Sequence, residues 1–154
     1  MIKKFMKIAI DEAISSVEKG GGPFGALIVR NGKVISRSRN QVIQDHDPTA
    51  HAEMLVIRKA ASILGTCDLS DCEIYSSCEP CPMCLGAIYW AHIPIIYYGS
   101  NRLDAKNAGF DDSYIYGEFQ LNPENRKVKM INIQRDKALE AFENWTKHPG
   151  KKEY

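Results

Sequence analysis

The stretch FGALIVRNGKVISRSR, residues 24–39, is the part of the chain that decides its fold. Two strand-like runs flank Asn31-Gly32, and Asn-Gly between such runs is the strongest short signal for a tight β-hairpin. We therefore predict that the sheet begins with two antiparallel strands. Because the later strands alternate with helices, the sheet is expected to be mixed rather than purely parallel.

The rest of the chain alternates between helical and strand patterns. Helices are predicted up to about Lys19, over about 49–64, from near Cys81, and over 136–147. Further strands are predicted at 73–77, 93–99 and 127–133. With helices on both faces, these elements predict a three-layer α/β/α sandwich around a mixed five-stranded sheet, formed by a single domain over residues 1–154.

The composition gives little sign of a nucleic-acid partner. Lys and Arg number 20 against 19 Asp and Glu, a net charge of +1, whereas a nucleic-acid-binding domain is usually clearly basic. Residues 126–154 carry eight Lys and Arg against four Asp and Glu, a modest excess that could contact phosphates. The start MIKKFMKIAI resembles an amphipathic helix more than a signal peptide, and no apolar run approaches the roughly 20 residues of a membrane span. We expect a cytoplasmic protein with no membrane association.

Three of the five cysteines lie together in SCEPCPMC, residues 77–84. An odd number of cysteines in a cytoplasmic chain argues against a disulfide framework. Cys81 and Cys84 are three residues apart at a predicted helix start, where the positive end of the helix dipole favours thiolates that could bind Zn²⁺. A thioredoxin-like redox pair has the same spacing. However, PTAHAE, residues 48–53, adds a histidine and a carboxylate that a redox dithiol does not need.

Two kinds of metal site are compatible with these residues. If all three clustered cysteines bind together with His51, the site is closed and structural, whereas His51, Cys81 and Cys84 alone leave one position open for water. We favour the open site because Cys78 ends a predicted strand, and because a closed site would leave Glu53 unexplained. One observation stands against it: residues two apart on a helix do not share a face, so His51 and Glu53 should diverge unless the chain bends there.

The motifs also match a known signature. His51-x-Glu53 followed by Pro80-Cys81-x-x-Cys84 is the pattern of zinc-dependent base deaminases. With GGPFGALIV, SCEPCPMCLGAIYWA, AGFDDSYIY and the terminal KKEY, the chain resembles the bacterial guanine deaminases of the cytidine deaminase fold. That resemblance implies a five-stranded mixed sheet covered by helices on both faces.

The resemblance also implies a reaction. Zn²⁺ would be held by His51, Cys81 and Cys84, and an activated water would attack C2 of guanine to give xanthine and ammonia. Glu53 would carry the proton of that water to a ring nitrogen. Asp112 of the FDDS segment would help protonate the departing amino group, although Asp111 next to it is a rival for that role.

Substrate contacts follow only from the resemblance. Asn40 and the backbone of Ala52 would hydrogen-bond the base, and Phe24 would line the pocket. The family further implies a homodimer in which the C-terminal segments are exchanged, so that Tyr154 of one chain closes the pocket of the other. From the sequence alone, Asn40 would be a turn residue, Phe24 a core residue and the polar tail a frayed end.

Two other functions remain compatible with the sequence. The tRNA adenosine deaminases share PTAHAE-like and EPCxMCxGA-like motifs, although the nearly neutral charge, AGFDDSYIY and the KKEY end favour a guanine deaminase with no nucleic-acid partner. A zinc-stabilised binding module without catalysis would need Cys78 as the fourth ligand and would leave Glu53 idle.

Overall fold

A computed structural model of the chain describes residues 1–153, so the predicted substrate contact of Tyr154 lies outside the described residues. The chain divides into two compact units, Met1–Ser113 and Tyr114–Tyr154. The strands are β1 (Gly25–Arg30), β2 (Lys33–Arg39), β3 (Cys72–Cys78) and β4 (Ile95–Ser100). The α-helices are α1 (Ile2–Glu18), α2 (Val42–Asp45), α3 (Ala52–Leu64), α4 (Pro82–Trp90), α5 (Arg102–Asn107), α6 (Ser113–Gln120) and α7 (Arg135–Lys147).

The predicted hairpin is confirmed and it starts a mixed sheet. The strands lie in the order β2-β1-β3-β4, with β1 antiparallel to both of its neighbours and β3 parallel to β4. Asn31 and Gly32 have φ angles of 51° and 71°, the left-handed conformation that a type I′ turn requires at both central positions. Because β3 and β4 are parallel, the chain must cross over between them, and α4 provides that connection.

Both faces of the sheet are covered by helices of the first unit. Successive side chains of a strand point to opposite faces, and β1 follows this rule with apolar residues on both sides. Leu27 and Val29 join Tyr75 in a cluster with α1. Ala26 and Ile28 join the opposite cluster, which includes residues of α3 and α4. The predicted layers are therefore present, and the loops that lead into α3 and α4 lie on the same side of the sheet.

The predicted fifth strand is wrong for this structure. Among the described residues the sheet has four strands, and residues 127–133 belong to no helix or strand. Their apolar side chains are exposed, with Ile131 81% and Val128 75% accessible. Alternating apolar residues report a preference for extended backbone, but a strand also needs a neighbour that supplies ladder hydrogen bonds, which the pattern cannot show.

No helix within residues 1–153 is long and apolar enough to span a bilayer.

Candidate metal centre and active site

Two helix N-termini bring the candidate ligands together. His51 is the N-cap residue of α3, and Cys81 is the N-cap residue of α4, each with extended backbone (ψ 153° and 168°). Pro82 occupies the first turn of α4, as predicted, where its missing N–H costs no helical hydrogen bond. Cys84 follows within α4 and is fully buried. Each helix therefore directs its positive end towards the two cysteines, which favours thiolates there.

The spacing of the donor atoms fits a tetrahedral zinc ion. The Nδ1 atom of His51 lies 3.6 Å from the Sγ atom of Cys81 and 3.5 Å from that of Cys84. Zinc bonds of about 2.3 Å to sulfur and about 2.0 Å to nitrogen, at tetrahedral angles, separate such atoms by roughly 3.5 Å. All three donor atoms lie within 4.8 Å of one another. Two sulfurs and one imidazole nitrogen are also the donor types that zinc prefers.

The third clustered cysteine does not join this group. Among residues 1–153, the only group of three or more His, Cys, Asp and Glu side chains placed to hold a metal ion is His51, Cys81 and Cys84. The Sγ atom of Cys78 lies instead 3.6 Å from the backbone carbonyl oxygen of Asn101, to which its thiol can donate. Three protein ligands leave the fourth position open, which is the arrangement of a catalytic zinc site.

Glu53 also lies near His51, Cys81 and Cys84. The expectation that His51 and Glu53 diverge, because they are two residues apart on a helix, does not apply here. The rule that residues two apart diverge holds only inside a helix, whereas His51 is the non-helical N-cap and Glu53 lies in the first turn. The side chain of Glu53 is only 4% exposed, and its Oε1 atom accepts a hydrogen bond of 3.1 Å from the Ser76 hydroxyl on β3. Burial raises the pKa of Glu53, which suits a group that accepts and returns a proton.

The pKa values of the two cysteine thiols are shifted in opposite directions. Hydrogen bonds from Cys84 and from His51 lower the pKa of Cys81 to about 4. The pKa of Cys84 is raised because its thiol donates to Cys81 and because the side chain is buried. The hydrogen bond to Cys81 also raises the pKa of His51. A half-buried Cys81 thiolate that accepts hydrogen bonds from both neighbours is a favourable place for a cation.

The structure separates the two neighbouring aspartates. The carboxylate of Asp111 accepts hydrogen bonds from the backbone N–H and the hydroxyl of Ser113. It also forms an ion pair with Lys106, with 3.1 Å between Nζ and Oδ2. Its pKa is lowered to about 2, chiefly by the Ser113 hydroxyl. Asp112 is half-buried, and its pKa is raised by burial and then by the charge of Cys81. Of the two carboxyl groups, only that of Asp112 has a raised pKa, in part because of the charge of Cys81.

The predicted substrate contacts within the described residues lie just before β1, just after β2 and at the start of α3. Asn40 is buried, and its backbone N–H donates to the carbonyl oxygen of Phe24 at 2.9 Å. Ala52 is the first residue of α3, where a backbone N–H has no acceptor within the helix. The ring of Phe24 meets that of Phe110 edge to face at 5.0 Å between centroids. This contact connects β1 to the segment that carries Asp112.

Two residues of this region were not predicted. Phe110 was missed although it directly precedes the aspartate pair, and an aromatic residue beside charged loop residues is a usable signal for a pocket wall. Ser76 was assigned only to a strand. Nothing in the sequence indicates that its hydroxyl would meet Glu53, because that hydrogen bond depends on how α3 packs on β3.

Residues 1–100 match the family described as the cytidine and deoxycytidylate deaminase zinc-binding region. The chain is 47% identical over 151 residues to guanine deaminase of Bacillus subtilis, with 97% of each protein covered. The X-ray structure of guanine deaminase from that organism superposes with a TM-score of 0.95, at 46% identity, over 99% of this chain and 98% of that one. A tRNA-specific adenosine deaminase of Aquifex aeolicus is 44% identical over 146 residues, which cover 93% of this chain and 92% of that protein.

Proposed function

Because the chain belongs to the family of cytidine and deoxycytidylate deaminases with a zinc-binding region, we propose that it catalyses the hydrolytic deamination of guanine to xanthine and ammonia. The observation that carries this proposal is the buried carboxylate of Glu53 beside the His51, Cys81 and Cys84 cluster. The near full-length similarity to a guanine deaminase supports guanine as the substrate.

Zinc fits the donor atoms of this site, with His51, Cys81 and Cys84 as its ligands. Bound there, Zn²⁺ would lower the pKa of a water molecule, so that hydroxide is available as the nucleophile at neutral pH. Glu53 accepts the proton of that water and delivers it to N3, the ring nitrogen next to C2 that carries no hydrogen. The hydrogen bond from Ser76 holds Oε1 of Glu53 in place, so one oxygen is positioned while the other is available for proton transfer.

The departing amino group also needs a proton. Asp112 delivers it, and two observations support this assignment: the pKa of Asp112 is raised by burial and by the charge of Cys81, whereas Asp111 is held by Ser113 and Lys106. Its raised pKa keeps it closer to the protonated form that a general acid needs. Asn40 and the N–H of Ala52 bind the polar edge of guanine, and Phe24 packs against its ring.

The active form is a homodimer with exchanged C-terminal segments. The second unit supports this assembly because none of its described residues is buried. Its exposed large apolar side chains include Tyr114, Phe119, Val128, Met130, Ile131, Ile133 and Phe142. A unit of this kind gains stability only by covering such residues, and a second copy of the chain provides a surface for that. In the dimer Tyr154 of one chain enters the pocket of its partner, and residues 1–154 act as a single deaminase domain. A cytoplasmic location suits five cysteines and a thiolate metal site.

The deciding experiment compares two substrates. Ammonia release is measured from guanine and from the adenosine of a tRNA anticodon stem, with the zinc-loaded protein and with the protein after chelation. Zinc-dependent release from guanine, with little or none from the tRNA stem, is expected. The similarity to a tRNA-specific adenosine deaminase makes the reverse ranking the outcome that would replace guanine by tRNA.

A further inference from the structure

The turn that carries the metal ligand Cys81 is fastened to the turn between β4 and α5. The backbone N–H of Glu79 donates to the carbonyl oxygen of Ser100 at 2.8 Å. In the other direction, the Oε2 atom of Glu79 accepts a hydrogen bond of 3.0 Å from the backbone N–H of Arg102, the first residue of α5. Together with the contact between Cys78 and the Asn101 carbonyl, these contacts involve three consecutive residues, 100–102.

Close packing just before these hydrogen bonds fixes the two turns further. A Cβ atom at Gly99 would lie 2.7 Å from the carbonyl oxygen of Ser77, so only glycine allows β4 to approach this closely. The hydroxyl of Ser100 also donates to that oxygen at 3.2 Å. The end of β4 therefore has a defined position relative to the end of β3, and Glu79 extends that position to the start of α5.

The short helix α5 transmits this position to Asp112. Its N-terminus is closed by a capping box between Asn101 and Asp104. Beyond its C-terminus, the N–H of Phe110 returns to the Ala105 carbonyl at 2.9 Å, and Asp111 pairs with Lys106. The segment that carries Asp112 is thus attached to α5 at two points, and a tilt of α5 would move Asp112 as well.

We propose that Glu79 is a positioning residue: its carboxylate holds the N-terminus of α5, and through α5 it sets the place of Asp112 beside the Cys81 turn. The reason is geometric, since a single side chain connects the turn that carries a metal ligand with the helix that precedes the proton donor. The catalytic part of this assignment rests on the proposed function, whereas the structural part does not.

The structural part is tested by hydrogen exchange on the zinc-loaded protein. Glu79→Ala should raise the exchange rates of the amides of residues 102–112 by about tenfold or more, with the amides of β1 and β3 unchanged. Glu79→Gln should leave them near the wild-type rates, because an amide oxygen still accepts from the Arg102 N–H. Two outcomes would overturn the assignment. Unchanged exchange in Glu79→Ala would show that Glu79 does not hold α5. Loss of zinc from Glu79→Ala would show that Glu79 holds the metal-binding turn itself.

The catalytic part is tested by steady-state kinetics with guanine. Glu79→Ala should lower kcat about tenfold with KM changed less than about twofold, and Glu79→Gln should recover most of kcat. Glu73→Ala, which removes another half-buried glutamate whose carboxylate accepts a hydrogen bond from Tyr75, is the control for a general loss of stability. The double variant tests whether Glu79 acts through Asp112.

In an Asp112→Ala background, Glu79→Ala should have almost no further effect on kcat. An equal tenfold loss in that background would show that Glu79 acts on another part of the site. If the wild-type protein releases no ammonia from guanine, the proposed function fails, and the exchange rates still decide the role of Glu79.

Discussion

Glu53 is a carboxylate with almost no access to solvent, and this sets what a substitution there should do. Its Oε1 atom accepts a hydrogen bond from Ser76, and the charges of Cys81 and His51 act on its carboxyl group. Burying a carboxylate costs free energy unless its charge is paired or hydrogen-bonded, so its presence here points to a function that a neutral side chain cannot perform. Burial raises its pKa, which brings proton uptake and release closer to neutral pH.

We predict that Glu53→Gln keeps zinc and fold and loses activity. Glutamine has nearly the same shape and still accepts the hydrogen bond from Ser76, but it cannot carry a proton. The kcat for guanine should fall by at least about a hundredfold, as is typical when a general acid–base group is removed. Metal analysis and circular dichroism serve as controls, and activity within about tenfold of wild type would contradict the role of Glu53.

Cys78 and the two cysteines after it should respond differently to substitution. Cys78→Ser is expected to retain one zinc per chain, because its thiol faces the Asn101 carbonyl and serine can also donate there. Cys81→Ser or Cys84→Ser should lose most of the zinc, since an alcohol is a poor zinc ligand compared with a thiolate. The zinc content of the purified variants is the measurement. Equal loss from all three would indicate a closed structural site and would refute the catalytic proposal.

At the level of elements, the N-termini of α3 and α4 carry the candidate metal ligands, which the sequence predicts, and the approach of Glu53 to His51, which it does not predict. The ligand set follows from residue types and spacing, because histidine and paired cysteines at helix starts have few other common uses. The approach of Glu53 to His51 does not follow, since it depends on His51 being the non-helical N-cap, and helix boundaries are uncertain by a few residues. The choice between Asp111 and Asp112 likewise depends on hydrogen bonds to Ser113 and Lys106 that no sequence pattern encodes.

Gly25 should be essential for the packing of α1 on the sheet. A Cβ atom there would lie 2.5 Å from the Ala13 amide nitrogen and closer still to the Ala9 carbonyl oxygen, both backbone atoms that cannot turn aside. Gly25→Ala must therefore push α1 away from β1, and we expect it to lower the free energy of unfolding by about 1–3 kcal/mol. Urea unfolding is the measurement. Ile14→Ala, at an exposed position of the same helix, is the matched control and should change stability by less than about 0.5 kcal/mol. A Gly25→Ala protein as stable as the control would show that α1 does not need this close approach.

For the whole molecule, the sequence predicts the first unit better than the second. The hairpin, the helices on both faces and the crossover through α4 follow from local patterns that agree with one another. Residues 127–133 have the pattern of a strand and lie exposed outside the sheet, because their partner is not set by local preference. The polar tail is the extreme case: its own residues indicate a dispensable end, and only the resemblance assigns it a function.

We predict that deleting residues 151–154 lowers kcat/KM for guanine by at least about tenfold while the protein stays folded, zinc-loaded and dimeric. Closure of the pocket by Tyr154, as proposed above, would exclude water and position the base, and a tenfold loss corresponds to about 1.4 kcal/mol of transition-state stabilisation. Zinc content and sedimentation are the controls. Full activity of the truncated protein would show that the tail plays no part in the reaction.

Mixing this truncated protein with the Glu53→Gln protein tests the exchange of tails. If each pocket receives its partner's tail, a heterodimer contains one pocket with both an intact Glu53 and an intact tail. Activity should then reappear after the subunits are dissociated and reassembled together. Re-formed heterodimers that are as inactive as both parents would mean that the tail remains with its own chain.

His51 and Cys81 cap different helices and are 30 residues apart in sequence. A zinc ion between them is therefore a removable cross-link, which closes a loop of the chain much as a disulfide does. Its binding free energy is available to the folded chain and largely absent from the unfolded one. In a cell short of zinc we therefore expect more than a loss of turnover: the newly made chain should unfold more often, be exposed to proteases for longer, and fall in abundance.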